Sequence, residues 1–365
     1  MNKEMETGGH GGDLTGAARR FGIRPEDFCD FSSNINPLGP PEGLLEELKK
    51  HLADILHYPP PLARELRRML SLSLNIDEER LLLGNGANEL IHLFFLWKRP
   101  SRVIIPSPTF AEYERAARLA GSTVERFPLP LEKLFDQKRL SERLCENDLL
   151  VFCNPNNPTG ICYPRELLDD MVREAHKRGA SVLLDESFLT FTGGSLEESL
   201  SHCDYPNLWV VTSLTKLWAL PGLRLGYIIG HPDKMRALNQ NGDPWRVNTL
   251  AQRAGIYCLS QNDYLSKSLD LIMRERNYLM GELRKMEKLK VFNGAANFLL
   301  LRCEEDGFSS KRLFLDLAAR AILIRNASNF SGLDERYFRI AVRSRSENEK
   351  LLKELWEVYK NYTMR

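Results

Sequence analysis

The chain has 365 residues, with 50 Lys and Arg against 49 Asp and Glu and a formal net charge of +1. That balance excludes the electrostatic footprint of a nucleic-acid binder or of a protein held on an anionic membrane, and the length admits two domains built around small-molecule chemistry. Seven cysteines (Cys29, Cys145, Cys153, Cys162, Cys203, Cys258 and Cys303) are scattered and odd in number, with no Cys-x-x-Cys, so neither a disulfide framework nor a metal knuckle is expected and a cytoplasmic setting fits best.

Residues 1–13 are polar and glycine-rich, without the apolar stretch of a signal peptide. Leu44, Leu45, Leu48 and Leu52 recur at helical spacing, and this helix closes an opening segment expected to join a second lobe. Pro59-Pro60-Pro61 reads as a stiff spacer. From about residue 80 to 230, short Val/Ile/Leu runs alternate with amphipathic stretches: Leu81-Leu83, Val103-Ile105, Leu149-Cys153, Val182-Leu184, Trp209-Thr212 and Leu225-Ile229. Such runs are the mark of parallel strands buried on both faces. The longest apolar run, around Leu93 to Trp97, is too short to cross a bilayer. Between strands, Pro164 opens a helix with Leu167, Leu168, Met171, Val172 and Ala175 on one face, and Gly179 can stop it. Beyond residue 260 come a long charged helix, roughly Tyr264 to Met286, strand-like runs Asn297-Cys303, Ala321-Arg325 and Tyr337-Val342, and a final helix. The fold class is therefore α/β: a large domain over residues 53–262 with a mostly parallel sheet, and a smaller α+β domain from residues 1–52 and 263–365.

The unusual residues lie in loops after the strands, where open α/β sheets bind ligands. Gly84-Asn85-Gly86-Ala87-Asn88 joins a strand to a helix, whose amide end can hold a phosphate. Asn154-Pro155-Asn156-Asn157-Pro158-Thr159-Gly160 is a rigid loop presenting amides. Asp185 ends a buried strand and needs a cationic or hydrogen-bonding partner, such as a protonated pyridine nitrogen. Ser213-Leu214-Thr215-Lys216 sets a lysine among hydroxyls, with Arg224 eight residues on. A lysine forms a Schiff base near neutral pH when desolvation or a neighbouring cation lowers its pKa. A Schiff-base lysine, a carboxylate and a phosphate cradle along one sheet edge point to pyridoxal phosphate.

With Asn-Pro-Asn-Asn-Pro-Thr-Gly, Asp185, Ser-Leu-Thr-Lys and Pro221-Gly222-Leu223-Arg224-Leu225-Gly226-Tyr227 in place, the chain resembles the fold type I pyridoxal-phosphate-dependent aminotransferase superfamily over nearly its full length. The resemblance implies a seven-stranded, mostly parallel sheet in the large domain. It implies Lys216 as the residue bonded to the cofactor, Asp185 on the pyridinium and Asn157 on the ring hydroxyl. Gly86, Ala87, Ser213 and Arg224 would hold the cofactor phosphate, helped by Asn88 and Thr215, with Phe110 stacked on the ring. Tyr58 would reach the cofactor phosphate of a neighbouring subunit, which implies a homodimer with shared active sites. Many relatives have tyrosine where Phe188 stands.

Two groups within that superfamily are close: histidinol-phosphate aminotransferases and L-threonine-O-3-phosphate decarboxylases of cobalamin biosynthesis. His10-Gly11-Gly12, Asp30 to Pro41 and Ile324 to Arg343 resemble the decarboxylases, although Asp13 stands where they often have asparagine. The resemblance implies a phosphorylated amino acid as substrate, decarboxylated to (R)-1-amino-2-propanol O-2-phosphate. Arg339 is the candidate for its carboxylate, His10, Arg325 and Arg343 for its phosphate, and Asn34 and Asn157 line the pocket. The alternatives left open are transamination of histidinol phosphate, serine phosphate as substrate, and a noncatalytic cofactor-binding regulator.

Overall fold

The structure is a computed structural model and describes residues 11–193 and 198–363; His10 lies outside the described residues. A short strand, β1 (Cys29–Asp30), precedes seven that form one sheet: β2 (Leu81–Gly84), β3 (Arg102–Ser107), β4 (Thr123–Pro128), β5 (Leu149–Cys153), β6 (Ser181–Asp185), β7 (Leu208–Ser213) and β8 (Gly226–Ile229). Their order is β2-β8-β7-β6-β5-β3-β4. β8 runs antiparallel to both β2 and β7, and the remaining pairings are parallel.

Alternation along these strands feeds two cores. Val103, Ile105, Val151, Leu183, Trp209 and Val211 pack with Leu90, Phe94 and Tyr113 on one face. Ile104, Leu150, Phe152, Val182, Leu184 and Val210 pack on the other, with Leu168, Met171, Val172 and Ala175 of helix Arg165–Lys177. Successive side chains of a strand point to opposite faces, so a continuous apolar run is what a sheet covered on both sides requires. The parallel strands deliver their last residues, and antiparallel β8 its first, to one edge.

Beyond helix Tyr264–Leu283 a four-stranded antiparallel sheet forms from β9 (Leu289–Val291), β10 (Phe298–Cys303), β12 (Arg325–Asn326) and β13 (Tyr337–Ala341), in the order β12-β13-β10-β9. The run expected over Ala321-Arg325 is two strands, because β11 (Ile322–Leu323) leaves that sheet to pair with β1. The opening segment thus reaches this unit through β1. Its helix, Leu44–Lys50, goes elsewhere: Leu44 and Leu48 pack with Leu66, Leu70, Trp218 and Leu225, while Leu45 and Leu52 are exposed. Among the described residues no helix is long and apolar enough to cross a membrane.

Candidate active site

The turn from β2 into helix Ala87–Lys98 is shaped by Gly86, at φ 84° and ψ 161°, a region that L-residues avoid. A Cβ there would lie 2.6 Å from Nη2 of Arg224. Glycine therefore lets the amide end of the helix, at Ala87 and Asn88, come against a guanidinium. Arg224 turns back through a left-handed conformation, φ 58°. Across from it, Gly226 is equally constrained, since its Cβ would meet the Ala87 nitrogen at 2.5 Å. The Ser213 and Thr215 hydroxyls lie 2.8 Å apart and are buried. Helix amides, two hydroxyls and an arginine are a donor set that can cradle a phosphate.

Lys216 follows β7 in the short helix Leu214–Leu217, its amine 5.1 Å from the centre of the Phe188 ring. Withdrawal from water drives that amine below the ordinary lysine range; the Asp185 charge opposes the shift, and Arg224 and Arg339 add to it. The Lys216 carbonyl accepts from the Asn36 N–H at 3.0 Å, which seats the opening segment beside the amine. Asp185, 5 % exposed, is held from two sides: the Tyr113 hydroxyl donates to Oδ2 at 2.6 Å and the Ser187 N–H to Oδ1 at 2.8 Å. Phe110 is half-buried, its ring edge-on to Tyr113 at 5.5 Å.

Arg339 brings β13 into the same site. It is 5 % exposed, and donates to Oδ1 of Asn157 at 2.5 Å and to the Ser32 carbonyl at 2.7 Å. Its Nε has no partner among the described residues. Arg325 is opposite it in register on β12, buried, and donates to the Asn326 carbonyl and to Asn329 Oδ1. Burial lowers the pKa of both guanidiniums from the ordinary arginine value, and Arg325 adds to the shift at Arg339. Asn34 is buried, its carbonyl accepting from Asn297 at 3.1 Å, while its Oδ1 and that of Asn88 find no partner among the described residues. Buried polar atoms left without a protein partner ask for a ligand or water.

The remaining candidates stand apart. Arg343 donates to Glu347, with Nη2 at 2.7 Å and Nε at 3.1 Å. Tyr58 is 83 % exposed and packs on Trp245 at 5.0 Å. The Gly12 N–H donates to Ser32 Oγ at 2.9 Å, and a Cβ on Gly11 would overlap the Ser32 carbonyl at 2.1 Å. Gly11 and Gly12 thus lie against Ser32, whose carbonyl accepts from Arg339.

Four contributors went unnoticed in the sequence: Tyr113, Ser32, Asn36 and Phe298. Phe298 lies under the Arg339 guanidinium at 5.3 Å and is edge-on at 5.0 Å to Phe188, the ring that faces Lys216. Tyr113 carries no signal of its own, since an aromatic on the amphipathic helix Glu112–Leu119 reads as core. Ser32 acts through its backbone, which leaves no mark in the residue type.

The donor set fits pyridoxal phosphate: an amine below its usual range, a pinned carboxylate, an aromatic face and a phosphate cradle with an exposed arginine. A family model for aminotransferase class I and II matches residues 26–355, and the chain belongs to that family. Among its relatives, a threonine-phosphate decarboxylase of Salmonella typhimurium is 36% identical, over 96% of both chains. The solved L-threonine-O-3-phosphate decarboxylase of Porphyromonas gingivalis is 29% identical with a TM-score of 0.81, covering 90% of this chain and 99% of its own. A histidinol-phosphate aminotransferase of Clostridium acetobutylicum is 31% identical with a TM-score of 0.83, over 91% and 99%.

Proposed function

We propose that the protein is a pyridoxal-phosphate-dependent decarboxylase of L-threonine O-3-phosphate that releases CO2 and (R)-1-amino-2-propanol O-2-phosphate, a step in making cobalamin. The observation that carries this reading is the register pair Arg325 and Arg339, two buried guanidiniums on adjacent strands, which suits a substrate carrying both a phosphate and a carboxylate. The 36% identity to the Salmonella typhimurium enzyme supports the same choice.

Bound at this site, pyridoxal phosphate supplies a protonated ring that accepts the electron pair released at the substrate Cα. Lys216 is the residue that would bond the cofactor, and its amine, or water, would supply the proton that Cα takes up in place of CO2. Asp185 holds the ring nitrogen's proton, and Asn157 reaches the ring hydroxyl while its Oδ1 orients Arg339. Arg339 would grip the carboxylate and so orient the substrate for loss of CO2. Arg325 takes the substrate phosphate, with His10 the further candidate; Arg343, ion-paired with Glu347, contributes less. Gly86, Ala87, Asn88, Ser213, Thr215 and Arg224 hold the cofactor phosphate, and Phe110 stacks on the ring.

The working form we propose is a cytoplasmic homodimer. Ile55, Leu56, Tyr58 and Trp245 are large apolar side chains exposed on a single chain, and covering them with a second copy would bring Tyr58 toward that copy's cofactor phosphate. The alternative, transamination of histidinol phosphate, rests on the likeness to the Clostridium acetobutylicum enzyme and uses the same lysine. Phosphorus NMR of the protein incubated with cofactor and L-threonine O-3-phosphate tests the assignment. A new aminopropanol phosphate resonance, absent with Lys216→Ala, is expected; an unchanged substrate spectrum would reject it.

A further inference from the structure

Asp185 is the only protein group assigned to the ring nitrogen in this reading, and its carboxylate is not free to choose its own orientation. Ser187 supplies a backbone N–H to Oδ1, and Tyr113 a hydroxyl to Oδ2. Tyr113 is 1 % exposed and stands on helix Glu112–Leu119, packed against the sheet by Ala116, Ala117 and Val151. Burial, and after it the charge of Asp185, push its phenol well above the ordinary tyrosine range, so the hydroxyl keeps its proton and acts toward Asp185 only as a donor. Each carboxylate oxygen retains lone pairs for a further donor. Its ring also abuts Phe110 edge-on, so a single side chain touches both the group assigned to the ring nitrogen and the group assigned to the ring face.

We propose that Tyr113 is a positioning residue: its hydroxyl locks the plane of the Asp185 carboxylate so that the carboxylate meets the cofactor's ring nitrogen. This rests on the pyridoxal phosphate reading of the site. A carboxylate anchored at one oxygen alone rotates, pairs less firmly with the ring nitrogen, and leaves that ring a poorer electron acceptor. The same ring then withdraws less from the nitrogen of Lys216, which holds its proton more tightly.

Tyr113→Phe in the cofactor-loaded enzyme removes the hydroxyl and keeps the ring against Phe110. The expected result is a kcat lower by about tenfold, the scale of one hydrogen bond to a charged group, with KM within about twofold. The pH midpoint of the visible cofactor band is expected to rise. A role confined to packing would move neither the midpoint nor kcat, and wild-type values for both would overturn the proposal. A lowered midpoint would overturn it too, since the phenol would then be competing with the ring nitrogen for the carboxylate. As a second test, Asp185→Asn with Tyr113→Phe is compared with Asp185→Asn alone. Equal midpoints and kcat are expected, and a further tenfold fall overturns the proposal. Wild-type protein that gives no visible band with pyridoxal phosphate would reject the cofactor reading itself, an outcome distinct from an unresponsive Tyr113→Phe.

Discussion

Gly86→Ala separates the work of the phosphate cradle from that of the fold. The new methyl would meet Nη2 of Arg224 at 2.6 Å and its Cζ at 3.1 Å, both on a long flexible side chain, so the clash is relieved by moving the guanidinium rather than the backbone. The backbone conformation, φ 84° and ψ 161°, is unfavourable for alanine by about 1–3 kcal/mol. That much stability should be lost from the cofactor-free protein. The displaced guanidinium forfeits a charge-assisted contact with the cofactor phosphate, worth about 1.5–3 kcal/mol, which weakens cofactor binding by roughly 10- to 150-fold. Gly222→Ala is the control, because a Cβ there meets nothing within 4 Å. Equilibrium fluorescence titration with pyridoxal phosphate and urea unfolding of the apoprotein measure the two effects. Cofactor affinity in Gly86→Ala equal to that in Gly222→Ala would refute the cradle.

Three further outcomes are expected. Arg339→Lys keeps a charge but loses the fork that spans Asn157 and Ser32, so kcat/KM should fall by roughly 10- to 150-fold, as for one lost charge-assisted bond; steady-state kinetics with less than a threefold change would exclude Arg339 from the carboxylate. Arg325→Gln should raise KM for the phosphorylated substrate far more than Arg343→Gln, whose parent side chain is already paired with Glu347, and the reverse order would reassign the phosphate. The pKa of Lys216 in the folded protein lies below its ordinary 10.5, so between those two values the unfolded chain binds more protons and stability supplied through this group rises with pH. Lys216→Met removes that penalty: the cofactor-free variant should melt above wild type near neutral pH, with the gap closing as pH approaches 10.5, and identical melting curves would contradict the buried amine.

The sheet was legible where burial is two-sided. Leu149–Cys153 appears in the structure with the bounds read from the sequence, because every residue in it is buried. β4, Thr123–Pro128, was missed: it is an edge strand whose Glu125 and Arg126 keep water contact, and such strands lack an apolar signature. β9 is three residues long, too short for any pattern. In the site, Lys216, Asp185 and Asn157 announced themselves through unusual chemistry in loops after strands. Tyr113 did not, since an aromatic on an amphipathic helix looks like ordinary core until its hydroxyl is seen on Asp185. The Arg343–Glu347 pair was readable from its four-residue spacing. Arg339's contacts with Ser32 and Asn157 were not, because they span about 307 and 182 residues of chain.

The most direct measurement is a single turnover of the cofactor-loaded protein with L-threonine O-3-phosphate, recording CO2 release and the visible cofactor band, beside a reaction with histidinol phosphate and 2-oxoglutarate. The account predicts one CO2 per active site with the cofactor band restored and no amino transfer. Conversion of the cofactor to its amine form by histidinol phosphate, with no CO2 from threonine phosphate, would contradict it.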